Sequence, residues 1–427
     1  MGNDSQLFRR IKDKSGSVII WVTISIVFFL GVGALAFDLS HLTVVRNELQ
    51  NAADAGALAG VRFLYLEDGT AVNPVANNHA YNAAIANRSE GSAVEVGDGD
   101  IERGHWSFGI GSLERGFYPN EFTTEPPDLW NQTTAELDED RNYINAIRVR
   151  TRRDLQQAAS YFARIFGVTG TRMSAEAVAY IGYSGTLQPH EVDQPIAICQ
   201  EALLNEEGEY TCGVGRMINS GANTGHQTGG WTNLTQPCIH ANPPTVRPLV
   251  CGTGNPDTIE LGEGIGATGG MTDDVYRSLI DCWKSAGLDS DGDGWPDRPW
   301  MQTFPVITCP GNNVSGCATV VGSVELQVLW IVRDDKNQMN EIPRAMGGVT
   351  GYPDWSAATS CPPGTTRQQC WDSFVQNFQL RDVLNNSYAI YENQTIYFLP
   401  DCSPHIPAGM TGGQNFGILA KVPVLVR

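Results

Sequence analysis

The sequence predicts an α+β protein: a long N-terminal transmembrane helix extends into a small α+β domain, and a β-rich, disulfide-stapled domain follows. Three observations predict it. Val18 to Phe37 is a run of twenty residues without a charge. Helical spacing of apolar residues continues beyond that run. All ten cysteines lie between Cys199 and Cys402.

At about 1.5 Å rise per residue, twenty helical residues span about 30 Å, the hydrocarbon thickness of a bilayer. Thr23 and Ser25 are tolerated there because their hydroxyls can bond back to the helix. Arg9, Arg10, Lys12 and Lys14 precede the run, whereas Asp38, Glu48 and Asp54 follow it. This asymmetry makes residues 1–16 a cytoplasmic tail and puts residues from 38 onward outside the cytoplasm. Membrane lipid is thus one partner, met through residues 18–37. Ala34-Leu35-Ala36 offers an alternative, a signal-peptide site whose cleavage after Ala36 would leave a secreted protein. Two features favour the anchor. The apolar stretch exceeds the about 7–15 residues usual in a signal peptide. Leu39, Leu42, Val45, Leu49, Ala52, Ala53 and Gly56 also continue at three- and four-residue steps, without Gly or Pro between Phe37 and Asp54. The helix is expected from about Ser17 to Arg62, within a segment 17–66.

The distal part of this helix, LQNAADAGALAG, is dominated by small side chains. Gly56 and Gly60 form a G-x-x-x-G pair, extended by Ala52, Ala53 and Ala59. Such a surface admits close approach by another element, either of the chain's own domain or of a partner.

At these residues the chain resembles the TadG-like proteins of the Tad/Flp pilus-assembly system. The basic tail, Gly16, the apolar span, Asp38 and LQNAADAGALAG carry the likeness. It resumes at Arg164-Ile-Phe-Gly167 and Ser174-Ala-Glu-Ala-Val-Ala179, covering about residues 1–185. The resemblance implies a bacterial inner-membrane protein, single-pass, with its bulk periplasmic or on the cell surface. It also implies other pilus-assembly or pilin-like proteins as partners. Where related pilin-like proteins carry Glu five residues after a processing glycine, this chain has Trp21. The Asp-x-Ser-x-Ser metal motif of the von Willebrand A domain found in some of these proteins is absent.

Residues 67–185 form the expected α+β domain. Asp68-Gly69 closes the long helix, and Asn73-Pro74 opens a shorter one to about Arg88. Strands are expected near 93–97, 101–109, 143–152 and 172–182. A helix is expected from Asp154, with Leu155, Ala158, Ala159, Phe162, Ile165 and Phe166 on one face and Gly167 as its stop. Residues 186–427 are richer in Gly, Pro, Asn and Cys. Alternation at Val324, Leu326, Val328, Trp330 and Val332 predicts a strand, with others near 388–399 and 415–426. Helices are expected at Thr272–Lys284 and Trp371–Leu384. The even number of cysteines without any Cys-x-x-Cys points to disulfides made in an oxidising compartment. Pairing in sequence order would join Cys199–Cys212, Cys238–Cys251, Cys309–Cys317, Cys361–Cys370 and Cys282–Cys402, although spacing does not fix connectivity.

The sharpest chemical motif is Asp289-Ser-Asp-Gly-Asp-Gly-Trp-Pro-Asp297. Carboxylates of Asp289, Asp291, Asp293 and Asp297 occupy loop positions 1, 3, 5 and 9, with Gly294 at 6 and the Trp295 carbonyl at 7. This is calcium-loop spacing. Position 12 is Trp300 rather than a bidentate Glu, so the loop is no EF-hand and resembles the structural Ca2+ loops of thrombospondin type 3 repeats. Four such close carboxylates repel one another without a cation.

Gly264-Ile-Gly-Ala-Thr-Gly269 matches G-x-G-x-x-G, but no parallel-sheet pattern surrounds it, and a glycine-rich turn is expected. A formal charge of −19 without a basic cluster beyond residues 9–14 argues against nucleic acid. No H-E-x-x-H or G-x-S-x-G occurs, so neither catalysis nor a small-molecule substrate is expected. The reading is a non-enzymatic, membrane-anchored pilus-assembly component. Its alternative is a cell-envelope adhesion or binding protein on the same anchor.

Overall fold

In this computed structural model, residues 15–66, 71–120, 138–203, 215–219, 228–333, 342–381, 387–399, 403–409, 411, 413–414 and 416–427 are described, with side chains from residue 18. The basic tail, Asp68-Gly69, Cys212 and Cys402 lie outside them.

Helix α1 runs unbroken from Ser15 to Arg62. Its two halves meet different surroundings. Residues from Val18 to Phe37 expose their apolar side chains, among them Trp21, Phe29 and Leu35. Beyond Asp38 the helix buries Val45, Leu49, Ala52, Ala53, Ala57 and Val61, an interval of three or four residues that keeps one face on a core. Helix α2 (Ala76–Ile85) starts behind an Asn73 side chain that accepts the Val75 N–H, and it buries Ala76, Ala80 and Ala84.

The two glycines make this packing possible. A Cβ on Gly56 would stand 3.0 Å from Ala84 Cβ and 3.2 Å from Val149 Cγ1. On Gly60 it would stand 2.7 Å from Ala80 Cβ and 2.9 Å from Ile147 Cδ1. The G-x-x-x-G face is therefore filled by the chain's own α2 and sheet.

That sheet holds β1 (Ile101–Ser107), β2 (Gly116–Pro119), β3 (Ala146–Ala159), β4 (Gly170–Tyr183) and the C-terminal strand Lys421–Leu425. All pairs are antiparallel, and the C-terminal strand borders β4, with β3, β1 and β2 beyond. Residues 421–425 thus lie in the first sheet, although sequence position groups them with the second region.

The helix expected from Asp154 is instead the end of β3. Pairing with β4 continues to Ala158 and Ala159 across an irregularity after Arg153, and only a 3-10 turn, Ala163–Phe166, precedes Gly167. The expected stop is correct, since Gly167 is left-handed at φ 86°. The apolar spacing misled because Leu155, Phe162, Ile165 and Phe166 are exposed and face no core.

In the second region, β5 (Ile196–Cys199), β6 (Gly229–Thr232), β7 (Gly264–Thr268), β8 (Trp300–Ile307) and β9 (Cys317–Val332) pair in a closed ring. β7 bonds both β6 and β9, β6 bonds β5, β5 runs parallel to β8, and β8 pairs with β9. Closure removes the free edges of these strands. The far half of β9 pairs with β10 (Thr395–Phe398), which pairs in turn with Gly215–Asn219. Helices α3 (Asp273–Ala286) and α4 (Arg367–Asn377) cover this sheet. The G-x-G-x-x-G segment is strand β7 rather than a turn. Its glycines admit neighbours: a Cβ on Gly264 would meet Cys317 Sγ at 2.4 Å, and one on Gly266 would meet Ile239 O at 1.9 Å.

Four disulfides are described: Cys199–Cys309, Cys238–Cys317, Cys251–Cys282 and Cys361–Cys370. Only the last follows sequence order. Strand neighbours account for the first, for Cys199 lies opposite Ile307 in the parallel β5–β8 pair, two residues short of Cys309, whereas Cys251–Cys282 ties a turn to α3. One buried cluster joins Ala53, Ala57 and Val61 of α1, Ile147 and Ala179 of the first sheet, and Ile265, Ile307 and Val320 of the ring. The two regions share that core.

Gly60→Ala is expected to destabilise the fold by about 1–3 kcal/mol through overpacking, read as a lower thermal midpoint. Gly33→Ala, where nothing lies within 4 Å, is expected to leave that midpoint unchanged.

Candidate functional site

The acidic loop follows α3. Gly292 and Gly294 adopt φ 73° and 87°, the left-handed conformation that lets the chain turn tightly. The Asp289 carboxylate accepts the N–H groups of Gly292 (2.8 Å) and Gly294 (3.0 Å), and Asp291 accepts that of Asp293 at 3.0 Å. Carboxylate oxygens of Asp289, Asp291 and Asp297 lie within 4.8 Å of one another. Asp293 is near them but outside that group, and its oxygens accept the N–H groups of Trp295 (2.8 Å) and Arg344 (2.8 Å).

Asp297 is the most telling member. It is only 9 % exposed, and while one oxygen accepts the Ser290 N–H, its Oδ1 has no partner among the described residues. An orphaned buried carboxylate oxygen is costly, and a cation among these three carboxylates would satisfy it. Burial and the nearby carboxylates of Asp293, Asp297 and Asp289 push the Asp291 carboxyl above its ordinary value, against one hydrogen bond from the Asp293 N–H. The donor set fits a hard, oxygen-seeking ion such as Ca2+. The Trp295 side chain anchors the loop, its ring 4.4 Å from Trp330 and 5.6 Å from Trp283, with the Lys284 ammonium 3.4 Å above it.

A second constellation sits where α1 leaves its apolar half. Asp38 is buried, and its carboxylate accepts the N–H groups of Tyr161 (3.0 Å), Phe162 (3.1 Å) and Ala163 (2.7 Å) at the β3–β4 connection. Burial alone would raise this carboxyl, but those donors and nearby His41 hold it below its usual value. Glu95 holds the N–H groups of Asp154, Leu155 and Gln156 in the same way. His41 meets Glu90 at 2.7 Å, and buried Arg153 meets Glu90 at 3.0 Å. These roles rest on contacts far apart in sequence. The one local signal was the lone charge of Asp38 directly after the span.

A cavity of about 310 Å³ lies between Trp106, Phe108, Tyr143 and Tyr180. Its carboxylate, Asp138, accepts the N–H groups of Phe108 (2.6 Å) and Ile110 (3.1 Å) and the Ser107 hydroxyl.

The arrangement defines a protein built on one long apolar helix whose distal half packs on an antiparallel sheet. Residues 16–62 match the model described as Flp pilus-assembly TadE/G-like, and residues 51–179 match that described as Tad-like Flp pilus-assembly. No curated protein and no solved structure matches the chain. Residues 16–179, less than half of the chain, are thus similar to TadE/G-like proteins of Flp pilus assembly. The matched segment spans α1 to β4, the part that includes the Asp38 constellation.

Asp38→Asn is expected to speed hydrogen exchange at the Tyr161, Phe162 and Ala163 amides while the body stays folded. Because the folded carboxyl is lowered, its contribution is present above the ordinary carboxyl range and is lost as pH falls through the lowered value. Acidification of the parent protein should therefore reproduce the mutant's exchange pattern.

Proposed function

We propose that the chain is a membrane-anchored, non-enzymatic component of a bacterial Tad/Flp pilus-assembly system, with a structural or pilin-like role. Residues 18–37 cross the inner membrane with the N-terminus in the cytoplasm and the body outside. Other pilus-assembly proteins are its partners. The observation that carries this reading is the division of α1. Its second half is part of the core of the family domain, whereas its first half exposes apolar side chains that only lipid would cover at low cost. The disulfides favour the same orientation, since they persist in oxidising compartments.

In the same reading, Asp289, Asp291 and Asp297 hold a structural calcium ion. Asp293 shapes the turn, and α3 is tied through the Trp295 cluster to β9.

Three measurements test this. Deleting the gene should abolish or shorten pili in electron micrographs, whereas normal pili with altered attachment would favour an adhesion protein. Sequencing the membrane-extracted protein should find no mature start at Phe37. Calcium at about a hundredfold excess over its dissociation constant should stabilise the protein by about 2.7 kcal/mol. Asp297→Asn should remove that gain, and unchanged melting of the parent protein would overturn the metal site.

A further inference from the structure

We propose that the β3–β4 connection, residues 154–168, inserts its apolar tip into the lipid–water interface beside α1, giving the protein a second contact with the bilayer. This rests on the reading that residues 18–37 span the membrane. The Phe37 ring, at the end of that span, lies 5.7 Å from Tyr161 and 5.6 Å from Phe162 in edge-on contacts. Asp38 holds the next three amides, so the connection is fixed at the level where α1 leaves lipid.

What the connection presents there is apolar. Leu155 is 91 % exposed, Phe166 87 % and Ile165 79 %, and Tyr161 and Val168 are exposed beside them. Of these, Tyr161, Ile165, Phe166 and Val168 share the tip of the connection, and exposed apolar side chains grouped on a folded body mark an interaction site. Its backbone is also prepared for an apolar layer, where unpaired amides are costly. The N–H groups of 154–156 go to Glu95 and those of 161–163 to Asp38. Those of Ile165, Gly167 and Val168 go to the carbonyls of Phe162, Arg164 and Ala163.

Charge agrees with a lipid surface. Arg164 and Arg172 are exposed next to the tip in a chain whose formal charge is −19, so local cations face the layer where lipid phosphates lie. Tyr161 suits the same boundary, with an apolar ring and a polar end.

The test uses the full chain in vesicles of phosphatidylcholine and phosphatidylglycerol, with photoreactive benzoylphenylalanine placed singly at Phe166, Phe29 or Tyr81. Tyr81, exposed on α2, reports on a surface far from the proposed interface. Illumination is expected to give lipid adducts, read by mass, at Phe166 and Phe29 and none at Tyr81. Lipid adducts at Phe29 but not at Phe166 would overturn the second contact and leave the anchor standing. Absence at both would overturn the anchor and the contact together. Cross-links from Phe166 to a second copy of the chain, in place of lipid, would also overturn it.

Discussion

The close approach of α1 to α2 and β3 is the constraint on which the rest depends. At Gly56 and Gly60 there is no room for a side chain, because Ala80, Ala84, Ile147 and Val149 already occupy it. The helix can therefore sit deep in the sheet's face, and one buried cluster continues from it into the strand ring. The same helix extends unbroken to Ser15. Its seating in the sheet thus sets how the whole body stands relative to its apolar half.

A set of carboxylates secures the base of that body. Asp38 and Glu95 hold backbone amides on either limb of the β3–β4 connection, while Glu90 joins His41 of α1 to Arg153 of β3. Hydrogen bonds from several amides to one ionised carboxylate are stronger than neutral ones. Those of Asp38 and His41 oppose swivelling of the helix against the sheet. A hinge just beyond the apolar half of α1 would have to break the Asp38 and His41 contacts.

Much of this was legible in the sequence where the signal was local. Continuity of α1 followed from apolar spacing without Gly or Pro between Phe37 and Asp54, and β9 from alternation at Val324 to Val332. The carboxylate spacing of the acidic loop likewise marked Asp289, Asp291 and Asp297 as neighbours. What failed was non-local. Residues 154–166 carry helical spacing, yet their amides go to Glu95, Asp38 and β4, partners that no local pattern names. The bond from the Arg344 amide to Asp293 is likewise one that no local pattern names. The partner of Cys199 was set by which strands lie side by side, for it meets Cys309 at the end of a parallel pair.

The strand at Lys421–Leu425 borders β4, although the whole second region separates them along the chain. Such a pairing has high contact order, and its loop closes only after the intervening residues have been made. During synthesis, α1, α2 and β1–β4 can assemble first, but β4 keeps an open edge meanwhile. An open edge invites pairing with another chain. Until residues 421–425 arrive, the first sheet therefore has one edge open to another chain. Delays in completing the second region would be felt as misassembly of the first sheet, far along the chain from where the delay occurs.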